Sequence, residues 1–205
     1  MKRFLIVSLA LLFAVSVVPR DLTAGVNVGI KGGFNLANLA VTPADPLLPY
    51  SNLKGITGGV YFSLSFGFIG IQPEILYSRR GTMWNIDEAN KVEFLLDYLE
   101  VPVLVKFSVL PAGPVRPFIF AGPSFGYLLK ATGRMTGVDD VDLKEDIAPT
   151  EWAAVFGAGL GFKLPGIALS IDGRYHMGLT EVWAEPFEGQ TTKNKGFSVL
   201  VGIGF

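Results

Sequence analysis

Eight residues carry most of the chemistry this chain offers: Lys31, Tyr61, Glu74, Glu100, Lys106, Asp172, Arg174 and His176. Each stands at an alternate position among apolar neighbours, as in Ile71-Gln72-Pro73-Glu74-Ile75 and Ile171-Asp172-Gly173-Arg174-Tyr175-His176-Met177. Period-two spacing in a strand sends such side chains to one face. Acids and bases mixed on one buried face pair into a salt-bridge network. The same set also suits a narrow polar or proton-linked path. Through His176 it would suit lipid-modifying catalysis, which needs a nucleophile and an acid beside the base. His176 is the only His. Its phase places it beside Arg174 and Asp172, and Gly178 stands where a serine on the same face is needed. A catalytic role is therefore not expected, and the chain is read as a non-enzyme.

No catalytic, cofactor-binding or metal residue is assigned, and no cofactor is expected. With no Cys, thiolate nucleophiles, disulfides and cysteine metal sites are excluded. The acidic run DDVDLKED at 139–146 has Lys144 at a ligand position and lacks the Gly of an EF-hand-like loop, so it reads as a solvated loop. Arg79, Arg80 and Arg134 lie near the external rim, where they suit contact with lipid phosphates and equally an ordinary interfacial role. Net charge is −1 with no basic patch, which argues against nucleic acid as a partner.

Eight alternating segments position these residues, at about 25–36, 55–66, 69–80, 94–109, 117–128, 151–162, 167–180 and 196–205. The last is the clearest: Phe197, Val199, Val201, Ile203 and Phe205 share one face, with Ser198, Leu200, Gly202 and Gly204 on the other. The facing of the fifth segment is left open. Connections near Gly67, Pro111–Pro114 and Pro165 are short. Those at about 37–54, 81–93, 129–150 and 181–195 are long and polar. That alternation of connection length is the pattern of a transmembrane barrel with short periplasmic turns and long external loops. Half the chain is apolar and mean hydropathy is +0.44, yet no stretch beyond the N-terminal run is long and uncharged enough for a spanning helix. The expected fold is all-β, an eight-stranded antiparallel up-and-down transmembrane β-barrel. A soluble barrel with the apolar face turned inward obeys the same alternation.

Residues 1–24 read as a secretory signal peptide: Lys2 and Arg3, then an apolar run from Phe4 to Val18, with cleavage after Ala24. Residues 25–205 form the barrel domain, exported to the bacterial cell outer membrane. Trp84, Trp152 and Trp183 fall at the long-loop ends, and Phe162 and Phe205 at the other. These are the expected membrane-interface aromatics. Some of Pro73, Pro102, Pro117 and Pro123 are expected at bulges or strand ends, because each lacks a ladder donor.

Four segments resemble the PorT-like outer-membrane β-barrel family: KGGFNLANL, YLEVPVLVKF, RPFIFAGPSFGYLL and DGRYHMGLTEV. The resemblance covers nearly all of the chain after the leader and implies a small eight-stranded outer-membrane barrel. Its eponymous member is tied to a protein-secretion apparatus, and that role is not carried across. The terminal Phe205 resembles the assembly signal of such barrels.

Eight strands enclose a lumen that side chains just fill. The expected lumen network is Lys31, Glu74, Glu100, Lys106, Asp172, Arg174 and His176. The leading functional expectation is a structural or interaction protein acting through its long external loops, in surface assembly or secretion. A narrow channel or transporter of small or apolar solutes is the alternative, and a lipid-modifying enzyme a third reading. Expected partners are outer-membrane lipid, the barrel-assembly machinery and a protein at the external loops, with the barrel itself a monomer.

Overall fold

The computed structural model describes residues 25–43, 51–85, 91–110, 113–185 and 189–205, so the expected leader at 1–24 lies outside the described residues. Among the described residues the elements are nine strands: β1 (Gly25–Thr42), β2 (Leu53–Phe66), β3 (Ile69–Asn85), β4 (Lys91–Ser108), β5 (Val115–Met135), β6 (Val141–Asp142), β7 (Thr150–Leu164), β8 (Ile167–Gly178) and β9 (Thr191–Gly204). Eight of them close a barrel. Each pairs antiparallel with its neighbour in order, and β1 pairs with β9 to seal the wall. The two-residue β6 lies outside this circuit and adds to the upper edge of β5 through Thr132↔Asp142 and Gly133↔Val141.

The alternation resolves in the membrane sense. Apolar side chains face outward along every barrel strand, from Val26, Ile30 and Phe34 in β1 to Val199, Val201 and Ile203 in β9, with Phe34 76% exposed. The ionisable set faces inward. Lipid forbids unpaired backbone groups, and a circular ladder leaves no edge. From Phe197 to Gly204, β9 approaches the length a tilted membrane crossing requires, and Phe205 continues it through its pairing with Val28. The β2–β3 and β7–β8 turns are tight. Gly67 takes φ 61° at the first central position, where a type II′ turn selects Gly. Gly166 follows Pro165 with φ 81°, the order a type II turn selects.

The fifth segment also resolves. Phe118, Phe120, Ser124 and Leu128 of β5 face inward, while Ile119, Tyr127 and Leu129 face out. Its phenylalanines need room that the Gly-rich β7 provides. A Cβ at Gly157 would lie 2.7 Å from the Phe120 ring, and one at Gly159 2.5 Å from the Phe118 ring. The inward glycines of β7 are therefore the seats for two aromatic rings from the adjacent strand.

One proline sits as expected, and the other three are accommodated in another way. Pro117 is the third residue of β5, near a strand end. Pro73, Pro102 and Pro123 lie inside strands. The β2–β3 ladder breaks between Tyr61↔Glu74 and Leu64↔Ile71, and the β4–β5 ladder between Pro102↔Ser124 and Val105↔Ala121. Both resume in the same register, so the missing N–H groups are absorbed by gaps rather than bulges. The β4–β5 register shift lies higher, where Asp97↔Lys130 is followed by Tyr98↔Leu128 and Leu129 is the extra residue.

Strand lengths depart most from the expectation at the long-loop end. The β2–β3 ladder ends at Thr57↔Ser78 and the β5–β7 ladder at Tyr127↔Thr150. The β3–β4 ladder continues to Asn85↔Lys91 and the β4–β5 ladder to Val92↔Met135. The ends of β4 and β5 thus rise past β7 as a flange about 20 Å tall at the usual strand rise, while β3 keeps a neighbour through the Ser51↔Met83 bridge and β1 stays paired with β9 up to Thr42↔Thr191.

Candidate functional site

Each expected lumen residue other than Lys106 is buried. They gather into two layers. In the lower layer, toward the short turns, Glu74 of β3 accepts from Lys31 Nζ of β1 at 2.9 Å and from Arg174 Nη1 of β8 at 2.7 Å. Asp172 accepts from Lys31 Nζ at 3.0 Å and from Arg174 Nη2 at 2.7 Å. Two cations and two carboxylates from three strands thus form a closed ring. Gln72 Nε2 donates to Glu74 Oε1 at 2.6 Å, and Lys106 Nζ donates to Gln72 Oε1 at 3.0 Å. Aromatic faces complete the layer: Lys106 Nζ sits 3.9 Å from the Phe118 ring centre, and the Arg174 guanidinium 5.2 Å from that of Phe120.

The upper layer contains two residues that the sequence reading placed elsewhere or passed over. Arg80 does not reach for lipid phosphate. It points inward and grips Glu100 through Nε and through Nη2 at 2.9 Å. Its position is even, as are those of Gln72, Glu74 and Ser78, so strand parity already assigned it to the lumen. Glu151 at the start of β7 is the second. His176 Nε2 lies 3.3 Å from Glu151 Oε1, not against Asp172. Asn35, Thr57 and Ser78 form a neutral chain beside them, with Asn35 Nδ2 to Thr57 Oγ1 at 2.8 Å and Thr57 Oγ1 to Ser78 Oγ at 3.0 Å.

Above the upper layer the lumen is stoppered. Leu39, Phe94, Leu96, Tyr98, Leu128, Ala131, Ile147 and Val182 form one buried cluster, with Trp84, Leu143 and Trp183 packed against it. Two external loops supply part of it. Ala148 N–H donates to Val182 C=O at 2.8 Å and Ala184 N–H to Asp146 C=O at 2.9 Å, which ties the segment after β6 to the segment after β8. Part of the acidic run at 139–146 is therefore structural: Leu143 inserts into the stopper, and Leu143 N–H donates to Ala131 C=O at 3.1 Å.

This placement corrects two of the expected interface aromatics. Trp152 is exposed on the outer face and meets Phe125 edge-on, and Phe205 is exposed at the opposite rim, with Phe162 half-buried near it. Trp84 and Trp183 instead serve the stopper, with Trp183 stacked on Phe94 at 5.5 Å. Trp84 shares the inward parity of Arg80 and Thr82. Trp183 lies past the end of β8 in a loop that crosses the mouth.

Two further ion pairs lie toward the flange. Arg79 pairs with Asp97 at 2.7 Å. Arg134 reaches Asp140 through two hydrogen bonds of 3.0 Å and holds that carboxyl below its ordinary range.

A family model described as "Outer membrane protein beta-barrel domain" matches residues 19–183. The chain belongs to that family. Members of this family reside in the bacterial outer membrane, and the outward apolar band described above is the corresponding lipid-facing wall. Among solved structures the fold is similar to Neisserial surface protein A (NspA), with 12% identity, TM-score 0.55, and 88% of this chain and 97% of that chain covered. It is also similar to Ail, the attachment invasion locus protein of Yersinia pestis, solved in complex with the heparin analogue sucrose octasulfate. That pair shares 14% identity and TM-score 0.44, over 88% and 99% of the two chains. No curated protein sequence matches this one.

The expectation of a non-enzyme is corrected here. The structures similar to this barrel include the outer membrane protease OmpT from Escherichia coli, with 10% identity, TM-score 0.44, and 92% and 98% of the chains covered. Barrels resembling this one thus include a protease, and a flat exclusion of catalysis does not stand. A likeness of that degree assigns this family member no activity either.

Proposed function

We propose that this family member is a monomeric outer-membrane post whose rigid, stoppered barrel holds up an external flange for contact with a protein partner. One observation carries the reading: the flange tip presents apolar side chains to water. Met135, Val138 and Val141 are 39%, 58% and 54% exposed beside the Arg134–Asp140 pair, well beyond the ladder that ends at Tyr127↔Thr150. Apolar groups on a structured extension outside the bilayer favour an interface over simple solvation. The closed mouth supports the same reading over a conducting one, since Ile147, Val182 and Leu96 fill the path. The finer likeness to PorT-like barrels, with a part in surface assembly or secretion, belongs to this proposal and rests on the strand motifs. So does recognition of Phe205 by the barrel-assembly machinery, which its exposed place beside β9 favours.

Photo-crosslinking tests the interface. With p-benzoylphenylalanine in place of Val138, irradiation of living cells is expected to give a discrete protein adduct. The same probe in place of Phe34 is expected to give lipid adducts only. Lipid adducts alone from the Val138 probe, or none, would remove the proposal.

A further inference from the structure

At the short-turn end the lumen opens into a cavity of about 380 Å³. Its described lining carries three cations, Lys106, Arg116 and Lys163, and no Asp or Glu side chain. The hydroxyls of Ser63, Ser65, Ser108 and Ser170 line it as well. The backbone oxygen of Phe205 at its rim is already engaged by Val28 N–H and Asn27 Nδ2, both at 3.2 Å. The wall around it thus offers cations and hydroxyls in excess of anions.

Lys106 gives the cavity a charged floor. The ring above it is self-balanced, two cations against two carboxylates, so Lys106 is the surplus charge of the lower layer. Among the described residues it forms no ion pair, and its one hydrogen bond goes to Gln72 Oε1. An ammonium group has three donors. The Phe118 ring covers one side of it, and it is itself part of the cavity wall. A desolvated cation supported by several hydroxyls is the standard recipe for holding an oxyanion through charge-assisted hydrogen bonds. The stopper closes the far end, so entry is from the periplasmic side alone.

We propose that this vestibule binds a small oxyanion, a phosphate, sulfate or carboxylate group, on Lys106 and the surrounding serine hydroxyls. The site does not depend on the flange or on what the flange meets. The test is titration of the isotope-labelled barrel in detergent micelles with inorganic phosphate, followed by amide shifts, with chloride at matched ionic strength as control. Saturable shifts at Ser63, Ser65, Ser108 and Ser170 are expected. Lys106→Gln is expected to weaken the response at least tenfold, while Lys106→Arg retains it. A boiled-against-unboiled mobility shift establishes that each variant is folded. A response that does not saturate, that chloride reproduces, or that Lys106→Gln leaves unchanged would overturn the proposal.

Discussion

Replacing Glu74 with Ala is expected to cost about 3–5 kcal/mol of unfolding free energy, the usual result of removing one partner from a buried ionic cluster. Glu74 accepts from Lys31, Arg174 and Gln72 at once. Its loss leaves Asp172 alone to balance two buried cations, and neither Arg174 Nη1 nor Gln72 Nε2 keeps the acceptor it had. Replacing the whole ring with apolar residues of similar volume is a different experiment, which often proves neutral or stabilising, because the desolvation cost disappears with the charges. Chemical denaturation in phospholipid vesicles, followed by tryptophan fluorescence, measures both. A Glu74→Ala cost below about 1 kcal/mol would mean that the charges are screened as surface pairs are, and the lumen would then be wet rather than packed.

Val201→Arg is expected to destabilise the folded barrel by about 2–4 kcal/mol, the cost of a cation on the lipid face at the bilayer midplane. Val201 is the middle residue of the outward run from Phe197 to Phe205 and is 52% exposed on the outer wall. Val26→Arg, on the same wall but at the periplasmic rim, is expected to cost roughly 0–1 kcal/mol, since the penalty fades toward the interface. Unfolding from vesicles measures the pair. Equal small costs at both positions would mean that the outer wall faces water.

The barrel wall was readable from the sequence because one period governs it. Alternation between lipid and lumen marks Glu74, Glu100, Asp172 and His176 as reliably as Val199 and Val201, and the turn residues Gly67 and Pro165-Gly166 punctuate it. Legibility fails where that period loses its physical cause. Above the bilayer no lipid demands an apolar outer face, so the ends of β3, β4 and β5 read as polar loop although they are paired strand. Arg80 shows a different failure. Its parity was available, but a pair of arginines near a rim suggested phosphate instead. The stopper was the least legible feature. Ile147, Val182 and Trp183 come from two loops distant in sequence, and no local pattern announces that they meet. The seats at Gly157 and Gly159 lie between: the glycines were visible, but the rings they accommodate belong to a strand whose facing was open.

The flange interface and the oxyanion vestibule lie at opposite ends of the barrel, so both depend on which end faces out. The native chain has no Cys, so single cysteines report without interference. Val138→Cys and Gly67→Cys, probed with a membrane-impermeant maleimide, measure the orientation directly. Labelling of Cys-bearing position 138 in intact cells, with position 67 labelled only after the outer membrane is opened, is the predicted result. Labelling of position 67 in intact cells with position 138 protected would contradict the account and place the vestibule outside.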